Sequence, residues 1–140
     1  PTSDGRAKIV PADLLPPDEK PDEKFPLILT TGRLLEHWHT GAMTRRSTML
    51  EAQEPVPTVS MHPKDIEEYG LKRGELIIVE TRRGQIKILL REDRDVSIGM
   101  LFIPFCFSEA PANFLTNPQL DPIGKIPEFK FSAANVKKAS

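Results

Sequence analysis

A mainly β fold, a barrel with short helices, is predicted by three features of this sequence. Several short apolar runs carry the two-residue alternation of half-buried strands. Only two stretches have helix-like caps, and both are short. Fourteen prolines among 140 residues punctuate the runs with turns. Many short strands with sparse helix favour a closed all-β architecture over layers of helices.

Residues 1–24 precede the first run. They are rich in Pro, Asp, Glu and Lys, with Pro11, Pro16, Pro17 and Pro21 set among charges and Ala7–Val10 as the apolar patch. This composition reads as an extended N-terminal arm or interdomain linker, either packed on a neighbouring domain or disordered. Residues 25–140 form the domain proper.

Phe25–Leu29 is apolar and reads as a buried strand. Thr30–Arg46 has no clean period and reads as a loop leaving that strand. Ser47–Pro57 is polar, holds two prolines and reads as irregular. Thr58–Met61 is a short strand. A short helix follows from His62 to Leu71, with Pro63 at its first position and Gly70 at its left-handed cap; Ile66, Tyr69 and Leu71 turn inward. Lys72–Glu75 is a turn. Leu76–Thr81 and Gln85–Arg91 make a hairpin in which Ile77 and Val79, then Ile86, Ile88 and Leu90, share parity. Its tip, Arg82-Arg83-Gly84, reads as a solvated turn, with an anionic partner for the Arg pair as the alternative. Val96–Gly99 turns into the strand Met100–Pro104. Ser108 is a candidate cap for a helix over Ala110–Leu115. A last strand spans Phe129–Val136, with Lys137 and Lys138 in solvent. No internal repeat is visible.

The Thr30–Arg46 loop concentrates the single Trp, two of three His, and several Gly, Arg and Thr residues. Such a mixture suits an anionic ligand with flat rings. Gly32 allows close backbone approach, Arg33 offers a planar fork of donors, Thr30, Thr31 and Thr40 add hydroxyls, and Trp38 with the imidazoles offers stacking surface. The same residues admit a structural reading, with Trp38 as a core anchor and the histidines solvated.

Thr31-Gly32-Arg33, Glu36-His37-Trp38-His39-Thr40 and Met43-Thr44-Arg45-Arg46, in that order, resemble the opening of the C-terminal molybdopterin dinucleotide-binding domain of molybdenum or tungsten bis-pterin oxidoreductases. That family includes formate dehydrogenase alpha subunits and nitrate reductases, and the formate dehydrogenase branch is the nearer likeness. Pro104-Phe105, Asn113, Leu115-Thr116-Asn117, Asp121-Pro122 and Lys125–Lys130 continue the match in order. The resemblance implies a six-stranded double-psi β-barrel with short helices. It implies that molybdopterin guanine dinucleotide, in its bis form with Mo or W in the full enzyme, contacts Thr31, Gly32, Arg33, Leu34, Leu35, Glu36, His37, Trp38, His39, Thr40, Asn113 and Lys130. Phe105 falls near the cofactor or substrate funnel of some members. The metal ligand and any iron–sulfur cluster belong to other domains of the same large subunit, and electron-transfer subunits are the expected further partners. This chain is then a cofactor-holding part of an oxidoreductase, not catalytic by itself. The alternative is a stand-alone double-psi barrel serving as a protein- or peptide-binding module.

Nineteen basic residues against twenty acidic ones give a net charge of −1, which argues against nucleic-acid or polybasic membrane binding. No apolar run is long enough to insert directly in a bilayer. The single Cys106 excludes an internal disulfide, and no CxxC pair or zinc-type spacing with His37 and His39 assigns a metal site. The chain begins at Pro1 rather than Met and reads as a fragment. A cytoplasmic location is the expectation, and a periplasmic one is the alternative because a leader would lie outside this stretch.

Overall fold

Alternation places one face of each run against a common core, and the runs do form strands that close on each other. The computed structural model describes residues 2–139. Its strands are β1 Leu27–Gly32, β2 Thr58–Met61, β3 Leu76–Thr81, β4 Gln85–Glu92, β5 Met100–Pro104 and β6 Ser132–Lys138. They close as a barrel in the order β1-β5-β2-β4-β3-β6. Every strand has a partner on both sides, so no edge is offered for another chain to extend. Inside lie Leu29, Val59, Met61, Ile77, Val79, Ile88, Leu90, Leu101 and Ile103, all buried.

Two pairings are parallel, β1 with β5 and β2 with β4; the other four are antiparallel. Exchanging β1, β2 and β3 for β4, β5 and β6 returns the same set of neighbours with the same sense. The strand order is therefore twofold, although the sequence shows no repeat. β5 lies between β1 and β2, and β2 lies between β4 and β5. The β1–β2 and β4–β5 connections must each cross an intervening strand. These two interlocked crossings make the mixed barrel a double-psi barrel.

Several boundaries differ from the sequence reading, each for a tertiary reason. β1 runs on through Thr30 and Thr31 to Gly32, because the β5 register continues to Gly32 opposite Pro104. β6 starts at Ser132 rather than Phe129 and includes Lys137 and Lys138, because β3 pairs with it out to Ile77 opposite Lys138. The stretch read as irregular contains an α-helix, α1, Thr48–Gln53, preceded by a 3-10 turn at Thr44–Arg46. Pro55 and Pro57 lie beyond its C-terminus, where proline is tolerated. The helix expected at Ala110–Leu115 is one 3-10 turn, Ala112–Phe114. Pro111 sits at its N-cap, and the Ser108 hydroxyl bonds Glu109 instead of capping it.

The second helix, α2, spans Pro63–Glu68. His62 is its N-cap, with Nδ1 accepting the Lys64 N–H at 3.1 Å, and Gly70 closes it at φ +62. Its buried Asp65 accepts the Gly99 N–H at 2.7 Å and so fixes the entry to β5. The Arg82-Arg83 tip is not simply solvated. Arg82 pairs with Glu19 and Asp22 and lies 5.0 Å from the Phe25 ring centroid, while Arg83 pairs with Glu19. Residues 2–24 carry no helix or strand, but these carboxylates tie their C-terminal end to the barrel.

The fully buried Leu101 measures how far the barrel depends on its filling. Leu101→Ala is expected to lower the unfolding free energy by roughly 2–5 kcal/mol, the usual cost of such a truncation in a close-packed core. Urea denaturation followed by far-UV circular dichroism checks this through the shift in midpoint.

Candidate functional site

β1 and β5 are parallel, so their C-terminal ends lie side by side at one mouth of the barrel. Gly32 opposes Pro104 there, and the chain leaves as Arg33 next to Phe105. Gly32 has a steric reason: a Cβ at this position would stand 2.3 Å from Cε2 of Phe102. The antiparallel β6 brings a third segment to the same mouth. Leu29 opposes Ser132, and the residues just before Ser132 pass Thr31. The Thr31 hydroxyl donates to the Phe129 carbonyl at 2.9 Å, and Lys130 Nζ donates to the Thr31 carbonyl. Lys130 Nζ also lies 5.9 Å from the Phe105 ring centroid.

These segments enclose a cavity of about 660 Å³. Thr31 and Arg33 come from the end of β1, His39 and Thr40 from the loop, Phe105 from the end of β5, Asn113 from the 3-10 turn, and Phe129 and Lys130 from the approach to β6. Arg33 makes no ion pair or hydrogen bond among the described residues, and it is exposed. Two cations, two phenyl rings, an imidazole, a carboxamide and two hydroxyls thus face one space. Such a set matches a ligand with phosphate charge and flat rings. A second cavity, about 650 Å³, lies between Leu15–Asp18 and residues 119–131. Its charged side chains are Asp18, Asp121 and Glu128, so it repels phosphate.

The loop itself has no core of its own and is held by polar clamps. His37 is fully buried and is turned away from the cavity. Its Nε2–H donates to the Glu54 carbonyl at 2.9 Å, and Nδ1 stands 3.3 Å from the Thr44 hydroxyl. Thr44 Oγ1 accepts the Trp38 N–H at 3.0 Å, which leaves its own proton for Nδ1. The Phe107 ring meets the imidazole edge-on at 5.6 Å. His37, which the resemblance implies contacts the cofactor, does not line this cavity; it is a buried strut for the loop. Trp38 is 62% exposed and Leu35 is 97% exposed, so neither lines the cavity. Trp38 is equally not the core anchor of the structural reading. Leu34 and Glu36 are half-buried outside the cavity, and Gly32 lies buried behind its wall.

Arg45 is the main clamp. Its guanidinium bonds both Glu109 oxygens at 2.8 and 2.7 Å and both Glu51 oxygens at 3.2 and 3.0 Å. It also stacks 4.8 Å from the Phe107 centroid. Gly41, at φ +75, makes room for it, since a Cβ there would stand 2.7 Å from Arg45 Cγ. The pairing raises the Arg45 pKa further and holds the Glu109 carboxyl down at about 2, chiefly through the hydrogen bonds from Arg45. Burial pushes the Cys106 thiol up, as suits an inert packing residue. The inward turn of His37 and the cavity position of Phe129 were not legible in the sequence. For Phe129 the neighbouring Lys130 was the available pointer. Among the described residues, no three His, Cys, Asp or Glu side chains gather as a metal site.

Residues 27–133 match the family model described as the molydopterin dinucleotide binding domain. The chain belongs to that family. The domain is 43% identical over 137 residues to the F420-dependent formate dehydrogenase 1 subunit alpha of Methanococcus maripaludis, and 41% identical over 137 residues to the F420-dependent formate dehydrogenase subunit alpha of Methanocaldococcus jannaschii. Each match covers 98% of this chain and 20% of the relative. The domain thus spans about a fifth of the length of these curated relatives. In structure it is similar to acetylene hydratase from Pelobacter acetylenicus, with a TM-score of 0.74 and 27% identity over 84% of this chain and 19% of that one. The donor set of the cavity fits a molybdopterin dinucleotide: Arg33 and Lys130 suit phosphate, and Phe105 and Phe129 suit rings.

The Arg45–Glu109 clamp generates a pH dependence. A carboxyl held down in the folded state stabilises that state above its unfolded pKa and ceases to do so as pH falls through its folded value. Loop residues 41–54 are therefore expected to lose hydrogen-exchange protection as pH falls from about 4.5 towards about 2. Glu109→Gln should remove the Glu109 contribution to that loss while lowering protection at neutral pH, as followed by exchange mass spectrometry.

Proposed function

We propose that this domain holds the dinucleotide of a molybdopterin guanine dinucleotide cofactor in a formate dehydrogenase-like molybdenum or tungsten enzyme. The observation that carries this reading is the convergence of Arg33, Lys130, Asn113, Phe105 and Phe129 on one cavity in a chain of this family. Arg33 and Lys130 would neutralise pyrophosphate, and the Asn113 carboxamide would pair with polar groups of the nucleotide. Phe105 and Phe129 would flank ring surface. When bound, the metal–pterin group supplies the redox chemistry; the domain's share is grip, orientation and exclusion of water.

The formate specificity rests on the similarity to alpha subunits of F420-dependent formate dehydrogenases. Their greater length supports other domains of the same large subunit as partners, closing over the cofactor from the other side. Electron-transfer subunits are proposed on the same ground. A dinucleotide shared between domains leaves each domain with only part of the contact surface. Binding of GDP to this chain alone should then be weak, about 10⁻⁴ M or poorer, because most of the burial is missing.

Arg33→Ala in the cofactor-loaded protein is expected to cost roughly 1.5–3 kcal/mol of charge-assisted phosphate contact. Pterin and metal content of the purified variant should fall, while its far-UV spectrum stays that of a folded barrel. Full loading without the Arg33 guanidinium would sink this reading.

A further inference from the structure

Asn113 reaches the cavity from a 3-10 turn of three residues, Ala112–Phe114. A turn this short has few bonds of its own, with the adjacent Thr116 hydroxyl donating to the Asn113 carbonyl at 3.3 Å. Inside it, the Phe114 N–H donates to the Pro111 carbonyl at 3.1 Å and the Leu115 N–H to the Ala112 carbonyl at 2.9 Å. Ala112 and Leu115 anchor it in the core, while Asn113 and Phe114 face outward.

What grips the turn from outside is the β3–β4 hairpin tip. The Arg83 guanidinium donates twice to the Leu115 carbonyl, from Nη2 at 2.9 Å and from Nε at 3.3 Å. Its remaining corner, Nη1, pairs with Glu19 of the arm. Glu19 is largely buried, its side chain 10% exposed, and also receives Arg82. Next to Arg83, Gly84 packs so near the turn that a Cβ would stand 3.2 Å from the Phe114 carbonyl. Three of the Arg83 donors are taken by a backbone carbonyl and the Glu19 carboxylate, and the side chain lies outside the cavity.

We propose that Arg83 is a positioning residue for the dinucleotide cavity: held by Glu19, it fixes the Ala112–Phe114 turn through the Leu115 carbonyl and thereby presents the Asn113 carboxamide. The proposal rests on the reading of the cavity as a dinucleotide site. It gives the hairpin tip and the arm a part in cofactor retention without contact to the cofactor. It also explains an arginine rather than a lysine, since only the planar fork can grip one carbonyl with two N–H groups while pairing a carboxylate at its far corner.

The test combines two readouts in the cofactor-loaded protein. Hydrogen exchange reports the turn through the Phe114 and Leu115 amides, and pterin content reports retention. Arg83→Gln is expected to raise exchange at these amides roughly tenfold, the effect of losing about one net hydrogen bond to a charged group. It should lower pterin content in step, with exchange in β1 and β5 unchanged. Arg83→Lys should restore exchange and content only in part. Glu19→Gln should move both in the same direction by a smaller factor, and it serves where Arg83→Gln fails to fold. Asn113→Ala should lower pterin content, and adding Arg83→Gln to it should lower content no further, because both act through one carboxamide. Arg83→Gln or Glu19→Gln with turn exchange and content as in the wild type would overturn the proposal. So would additive losses in the double variant. Should Asn113→Ala and Arg33→Ala both keep full content, the cavity reading itself falls, and the positioning role with it; the exchange result would still separate that failure from a turn Arg83 does not hold.

Discussion

The parallel pairing of β1 with β5 is the constraint on which the site depends. Parallel neighbours end at the same mouth of a barrel, so Arg33 and Phe105 emerge together once Gly32 opposes Pro104. Antiparallel β6 then delivers Phe129 and Lys130 to Thr31 from the other side. An all-antiparallel meander would send successive strands to opposite ends and scatter these groups. Parallel pairing demands long crossing connections. Here the β1–β2 crossing supplies the loop, and the segment between β5 and β6 supplies the turn that completes the cavity.

Stability and site chemistry are divided between two kinds of interaction. The barrel is held by apolar burial, with Leu29, Ile77, Ile88, Leu101 and Ile103 at or near zero exposure. Its mouth is held by polar clamps. Arg45 spans Glu51 and Glu109, His37 ties Thr44 to Glu54, and Arg83 ties Leu115 to Glu19. Exposed ion pairs contribute little to global stability. Directional donors on fixed carbonyls and carboxylates can nonetheless set where a loop sits, which is what a ligand site on irregular backbone requires. The arrangement keeps cationic Arg33 out of any internal pair while Arg45, Arg82, Arg83 and Arg91 are matched to carboxylates. Because Arg33 also stands at the cavity, its charge is available to a ligand there.

The sequence by itself determined what depends on near neighbours. Alternation set the strands and their inward parity in the β3–β4 hairpin, and Pro63 with Gly70 set the ends of α2, because these signals act within one turn or one pleat. The order of the loop, Asn113 and Lys130 identified the family and most of the cavity. Local chemistry could not tell His37 from His39, two residues apart, because which imidazole turns inward depends on Thr44, Glu54 and Phe107. It set Arg82 and Arg83 in solvent because their carboxylate partners lie 60 or more positions away. Only the tertiary structure decided these points, together with the contact between Lys130 and Thr31 across 99 positions, since a pairing between distant segments leaves no periodic trace in either one.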